Sequence, residues 1–232
     1  VLNAALFEKL FWDGRASSLE EQALQPITNP DEMNQDLDAL ERELAAVPGY
    51  VKQFQALFGT GVTRQGIAQA LAAFQRTLLS GPSPVDRYLA GDKSALSPSA
   101  RRGLDLFVGD AGCIRCHNGP LLSDGKFYRL GPTFDDHGLA SVSNAKDGIY
   151  KFRTPSLRNV AETAPYMHDG SLATLNDVVT YYYRGIPLSA PGGHALDVAP
   201  LLDRSFDEIP DLVAFLKALS GDAPQIEPPE LP

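Results

Sequence analysis

The chain has 232 residues, 44% hydrophobic and 21% charged, a balance typical of folded globular proteins and enough for one large or two small domains. A formal net charge of −9 argues against nucleic acid as a partner. No apolar run approaches the length that crosses a bilayer, and no secretory leader opens the chain, so it reads as a mature or trimmed product without a membrane span.

In chain order, the first half begins abruptly at Val1-Leu2-Asn3, without a cap or a turn. Thr63 to Gly81 carries Ile67, Ala70, Leu71, Phe74 and Leu78, an i, i+3, i+4, i+7 stripe that predicts an amphipathic helix ending near Gly81 and Pro82. Gly81 to Leu96, with Pro82, Pro84 and Gly91, reads as the connection between halves. Ser97 or Ser99 can cap a helix running through Arg101, Leu104 and Phe107 to Gly109. Residues 118 to 170 are rich in Gly, Pro, Asp and Ser and read as loops. Asp207 to Gly221 repeats the amphipathic design with Leu212, Phe215, Leu216 and Leu219. Its text, Leu212-Val213-Ala214-Phe215-Leu216-Lys217-Ala218-Leu219, echoes Leu71-Ala72-Ala73-Phe74-Gln75-Arg76-Thr77-Leu78, and an internal duplication is the simplest explanation.

Between these helices stands Cys113-Ile114-Arg115-Cys116-His117, which uses both cysteines of the chain. C-x-x-C-H is the attachment signature of c-type haem: two thiols add across the vinyl groups, and the adjacent histidine binds the iron. A zinc site would need further soft ligands that no other cysteine supplies. A thioredoxin motif would need a βαβ context, and a simple disulfide is the bland alternative. Thioether attachment of haem takes place outside the bacterial cytoplasm, which points to the periplasm. The expected fold is all-α, two cytochrome-c-like helical domains at 1–90 and 91–232. The second carries the covalent haem; the first lacks the opening where its own haem would attach. The sequence therefore suggests a start inside a longer protein, with apolar surface from Phe7, Leu10 and Phe11 left exposed or covered by another chain.

Several blocks, in order, resemble the bacterial di-haem cytochrome c peroxidase and MauG family. They are Phe11-Trp12-Asp13-Gly14-Arg15, Leu19-Glu20-Glu21-Gln22, Asn29-Pro30-Asp31-Glu32-Met33, Thr154-Pro155-Ser156-Leu157-Arg158-Asn159-Val160 and Pro165-Tyr166-Met167-His168-Asp169-Gly170. The resemblance implies two cooperating haems, an open one that meets peroxide and a relay haem on Cys113 and Cys116 with His117 as proximal ligand. The first would sit on a segment absent from this chain. Trp12 matches the family's position between the haems and would carry electrons or holes; without that context a lone Trp is as readily core.

Gln22 and Glu32 match the peroxide-pocket residues, an amide to hold the peroxide and a carboxylate to move its proton. By themselves both would pass for solvated side chains. For the sixth ligand, relatives carry Met or, in MauG, Tyr, and the register from Thr174 puts Tyr182 there within Tyr181-Tyr182-Tyr183. A phenolate favours oxidised iron, whereas a thioether raises the potential. Plain core packing of the three tyrosines is the alternative reading, and Met167 is the rival ligand. Thr163 and Pro165 match positions whose backbone carbonyls bind calcium. His168, inside its motif, reads as a hydrogen-bonding residue, and His137 and His194 receive no role.

Together these imply a periplasmic MauG-like oxidoreductase that uses hydrogen peroxide to oxidise a protein donor at long range. The runner-up is a cytochrome c peroxidase fed by a small cytochrome, and a mono-haem electron carrier is the reading from another class.

Overall fold

The computed structural model describes residues 2–131, 133–143, 146–187, 189–198, 201 and 203–232. It is helical apart from one small sheet, and it divides into two compact units. The first comprises residues 2–11, Ala16–Leu79 and Ala223–Pro232, and the second comprises Trp12–Arg15 and Ser80–Asp222.

Four helices build the first unit. α1 (Leu19–Thr28) starts where the Ser18 hydroxyl accepts the Glu21 N–H at 3.0 Å, and the Glu21 carboxylate returns to the Ser17 N–H at 2.8 Å. α2 (Leu37–Ala45) is capped by Asp36. α3 (Pro48–Phe58) opens on proline and closes on Gly59 in the left-handed region at φ 70°. α4 (Arg64–Thr77) is capped by Thr63. α1 lies against α4, where Ala16 and Ala72 are both fully buried and the Arg76–Glu20 ion pair at 2.9 Å closes the edge.

Two expectations change here. Leu10 is not surface: it is 6% exposed in a small core with Ala16, Leu19 and Ala72, and Phe7 and Phe11 pack partly against it. The α4 stripe is also rotated from the one read in the sequence. The helix buries Ile67, Ala68 and Ala72, while Ala70, Leu71 and Phe74 face outward, because it meets α1 through its small residues.

The second unit is organised by α6 (Pro98–Val108) and α9 (Ile209–Lys217). Of the two candidate caps, Ser97 takes the role, accepting the Ala100 N–H at 3.1 Å. The two helices meet at Phe107 and Phe215, whose rings lie 4.8 Å apart. Leu212, Phe215, Leu216 and Leu219 are all buried, as their spacing predicts, each worth about 2–3 kcal/mol of burial. α5 (Pro84–Leu89) precedes them with a reciprocal Ser83–Asp86 capping box. Loops follow α6, tied by an antiparallel pair, β1 (Phe127–Tyr128) and β2 (Phe152–Arg153), with Phe127 opposite Arg153 and Tyr128 opposite Phe152. α7 (Ala140–Ser143) is a single turn. α8 (Leu175–Thr180), capped by Thr174, runs straight into a π-turn over Tyr181–Gly185.

Candidate haem site

α6 ends at Gly109, and Gly112, in the left-handed region at φ 64°, turns the chain into a 3-10 turn over Cys113–Arg115. The His117 N–H closes that turn by donating to the Cys113 carbonyl at 2.9 Å. Both cysteines are free thiols. Burial pushes the Cys113 thiol up to about 11 and also raises Cys116, so both thiols are neutral.

The His117 ring is fixed by its Nδ1, which donates to the Leu122 carbonyl at 3.1 Å. A proton on Nδ1 leaves Nε2 as the acceptor nitrogen, the form a metal ligand requires, and the Pro155 carbonyl also bears on the ring. Burial lowers the His117 pKa and keeps the imidazole neutral. Leu122 itself adopts φ 51°, a left-handed conformation rare for a branched side chain and the kind of strain found where geometry serves a site.

The π-turn presents three tyrosines with different fates. The Tyr181 hydroxyl donates to the Leu130 carbonyl at 2.8 Å, and the Tyr183 hydroxyl donates to the Glu208 carboxylate at 2.8 Å. The Tyr182 hydroxyl has no hydrogen-bond partner among the described residues. Tyr182 is enclosed by protein yet keeps accessible surface, as a side chain lining an internal space does. Burial drives its pKa well above the usual phenol, and the Cys113 and Cys116 thiols act on it electrostatically. Two free thiols, a neutral imidazole and an unpartnered buried phenol that feels both thiols are a donor set that fits a covalent haem. π-turns recur at functional sites, and nothing in the sequence pattern signals this one.

Met167 is half-buried, with φ 70°. His168 stacks flat on Phe152, centroids 3.6 Å apart and planes 13° apart, with its pKa lowered by burial; among the described residues its ring makes no hydrogen bond, contrary to the expectation. Trp12 is 39% exposed and belongs to the second unit, where its carbonyl accepts the Arg153 N–H of β2 at 2.8 Å. Two residues on, Gly14 at φ 77° lets the backbone pass the Phe127 ring of β1, which a Cβ would meet at 2.5 Å.

Gln22 is half-buried on α1, and Glu32 is exposed on the loop that folds back on the end of that helix. The Glu32 carboxylate accepts the Asn29 side-chain N–H at 2.7 Å, a partner the sequence did not single out. Thr163 and Pro165 are exposed, and no cluster of three or more His, Cys, Asp or Glu among the described residues could hold a metal. Two carbonyls are a minority of the six to eight oxygens calcium takes, so these residues do not by themselves form that site.

A helical unit whose C-x-x-C-H turn faces an unpartnered tyrosine, joined to a second helical unit, defines a c-type haem oxidoreductase. Comparisons with known proteins sharpen this. The family model described as di-haem cytochrome c peroxidase matches residues 1–94. The whole chain aligns with cytochrome-c peroxidase IdrP1 of a Pseudomonas species at 39% identity, covering 70% of that protein. It aligns with methylamine utilization protein MauG of Methylorubrum extorquens at 40% identity, covering 66% of its length. Among solved structures, a MauG-like protein associated with microbial copper homeostasis superposes with TM-score 0.79 at 33% identity, covering 93% of this chain and 73% of that one. The diheme peroxidase BthA of Burkholderia thailandensis also gives 0.79, at 25% identity over 93% of this chain and 66% of its own. The chain belongs to the di-haem cytochrome c peroxidase and MauG family, a family of haem c peroxidase-type oxidoreductases.

Proposed function

We propose that this chain is the relay-haem portion of a periplasmic MauG-like enzyme, which uses hydrogen peroxide to oxidise a protein donor at long range. The observation that carries the reading is the Tyr182 phenol, enclosed and without a hydrogen-bond partner while both neighbouring tyrosines donate to protein acceptors. Cys113 and Cys116 would hold the haem covalently, and His117 and Tyr182 would supply donors to its iron. The bound haem supplies reversible one-electron chemistry at iron. A phenolate donor favours the oxidised metal, which suits an enzyme that stores oxidising equivalents and draws electrons from a distance. His117 contributes a fixed neutral donor, and the protein encloses Tyr182 so that water does not compete for the face it covers.

Trp12, anchored to β2 through its carbonyl and partly exposed, would carry electrons or holes between the two haems. Gln22 would hold peroxide through its amide, and Glu32, steadied by Asn29, would move the proton from one peroxide oxygen to the other. A second haem is part of this proposal, as is a calcium ion to which the Thr163 and Pro165 carbonyls contribute.

The competing function is that of a peroxidase fed by a small cytochrome. Rapid mixing of the full-length protein with peroxide, with and without a reduced small cytochrome, separates them. Long-lived oxidised protein and negligible cytochrome turnover are expected. Sustained turnover of the reduced cytochrome would overturn the MauG-like reading. A pyridine haemochrome count of one haem in the full-length protein would overturn the di-haem reading.

A further inference from the structure

Beyond the attachment turn the chain folds back on it. The Asp124 N–H donates to the Cys116 carbonyl at 2.8 Å, two residues after the Leu122 carbonyl that fixes His117. Both oxygens of the Asp124 carboxylate are engaged, and only by donors. Oδ1 accepts the Lys126 N–H at 3.0 Å, and Oδ2 accepts the Tyr128 hydroxyl at 2.7 Å. Tyr128 is in turn held on β1 opposite Phe152. An acceptor-only environment is that of an ionised carboxylate. Among the described residues no arginine or lysine forms an ion pair with it, although nine such pairs form elsewhere among them.

The surroundings carry the same sign. Asp124 acts electrostatically on both His117 and Cys116, Asp197 also bears on Cys116, and Lys126 is the opposing cation. Asp197 is exposed and tied to the Arg129 N–H at 2.7 Å, whereas Asp124 is half-buried and fixed at both oxygens.

We propose that Asp124, locked by Tyr128, sets the potential of the attached haem: an unpaired negative charge held at the Cys116 edge favours the oxidised iron and adds to the effect of the Tyr182 donor. The inference rests on the haem reading of Cys113, Cys116 and His117. The physical ground is Coulombic, since a fixed anion in a partly desolvated place stabilises the more positive metal state. Asp124 is neither a ligand nor a peroxide residue, so it acts as a positioning charge. Its bond to Lys126 also has a purely structural reading, an Asx-turn that shapes the loop.

Asparagine distinguishes the two, because its Oδ1 makes the same turn with the Lys126 N–H and its amide N–H can donate to the Tyr128 oxygen, while it carries no charge. Potentiometric titration of the haem-loaded protein should show an upward shift of midpoint potential in Asp124→Asn, larger than in Glu227→Gln on the exposed tail, with the oxidised spectrum unchanged. Equal shifts in the two variants would overturn the proposal. Should Asp124→Asn fail to mature, Asp124→Ser, which can shape the same loop turn without the charge, should shift the potential upward in the same way. An unchanged or lower potential in that variant would overturn it too. Haem content per chain, measured on the same samples, tests the underlying haem reading separately.

Discussion

Gly103 of α6 lies directly beneath Asp211 of α9: a Cβ at Gly103 would stand 2.0 Å from the Asp211 carbonyl oxygen and 2.7 Å from the Phe215 Cβ. The missing side chain is what lets the two helices cross closely enough for Phe107 to meet Phe215. Around the crossing, Ser99 Oγ donates to the Asp211 carboxylate at 2.5 Å, and Arg102 reaches it with two N–H groups at 2.6 and 2.8 Å. The helix that leads into the haem turn is thereby clamped to the helix that closes the unit.

Gly103→Ala is therefore expected to cost about 3 kcal/mol or more, since the obstruction is backbone rather than a side chain that can swing away. Gly61→Ala, where nothing lies within 4 Å of the added carbon, should cost under about 1 kcal/mol. Thermal unfolding of the two variants checks the contrast, and equal melting temperatures would contradict it.

Asp86 gives the second unit a predictable acid response. Its carboxylate takes two parallel bonds from Arg158 at 2.8 and 2.9 Å and closes the capping box with Ser83. The Arg158 guanidinium beside it holds the carboxyl well below its ordinary 3.8, against the opposing effect of burial. A depressed folded pKa means that the stabilisation is fully present above the ordinary value and drains away as pH falls through the lower one. Asp86→Ala is expected to cost about 2–3 kcal/mol at neutral pH, combining a lost cap with a partly buried charged pair. Stability curves of variant and parent should draw together as pH falls below the ordinary 3.8 and converge only below the lowered folded value, where the parent's own carboxylate becomes protonated. A constant difference down to that pH would refute the assignment.

The two similar octets show how far sequence carries. The octet of α9 was legible because its large apolar side chains form the face that α6 covers, so the apolar stripe and the buried face coincide. In α4 the equivalent Leu71 and Phe74 are 40% and 50% exposed, and the helix rests on α1 through Ala68 and Ala72 instead. Periodicity reports an apolar face but not which face the neighbours cover, and two alanines carry too little hydrophobicity to announce a contact. Phe74→Ala should accordingly cost under about 1 kcal/mol in this chain, against about 3–5 kcal/mol for Phe215→Ala. Denaturant unfolding of both variants decides whether Phe74 is surface.

The haem site divides in the same way. Cys113, Cys116 and His117 were readable because attachment chemistry demands adjacent positions. The Leu122 carbonyl, the Asp124–Tyr128 bond and the stacking of His168 on Phe152 depend on loop backbone, where no periodic pattern exists to read. The register from Thr174 pointed to Tyr182, but the π-turn that separates it from its neighbours is a backbone event invisible in composition.

That separation makes the three tyrosines a controlled experiment. Tyr181→Phe removes one neutral hydrogen bond, to the Leu130 carbonyl, and should cost about 1 kcal/mol. Tyr183→Phe removes a donor from the Glu208 carboxylate, which keeps its bonds to Arg204, and should cost about 1.5–3 kcal/mol. Tyr182→Phe removes no hydrogen bond to the protein, so the fold should hold or tighten slightly. If the phenolate is the sixth ligand, that silent substitution is the one that changes the haem: the spectrum should shift to a five-coordinate or water-bound form and the potential should rise. Tyr181→Phe and Tyr183→Phe should leave the spectrum as it was. The opposite outcome, an unchanged spectrum in Tyr182→Phe with a changed one in Met167→Leu, would hand the ligand position to the Met167 thioether. A thioether raises the potential and suits electron carriage more than storage of oxidising equivalents, so that result would also remove the observation on which the MauG-like function rests.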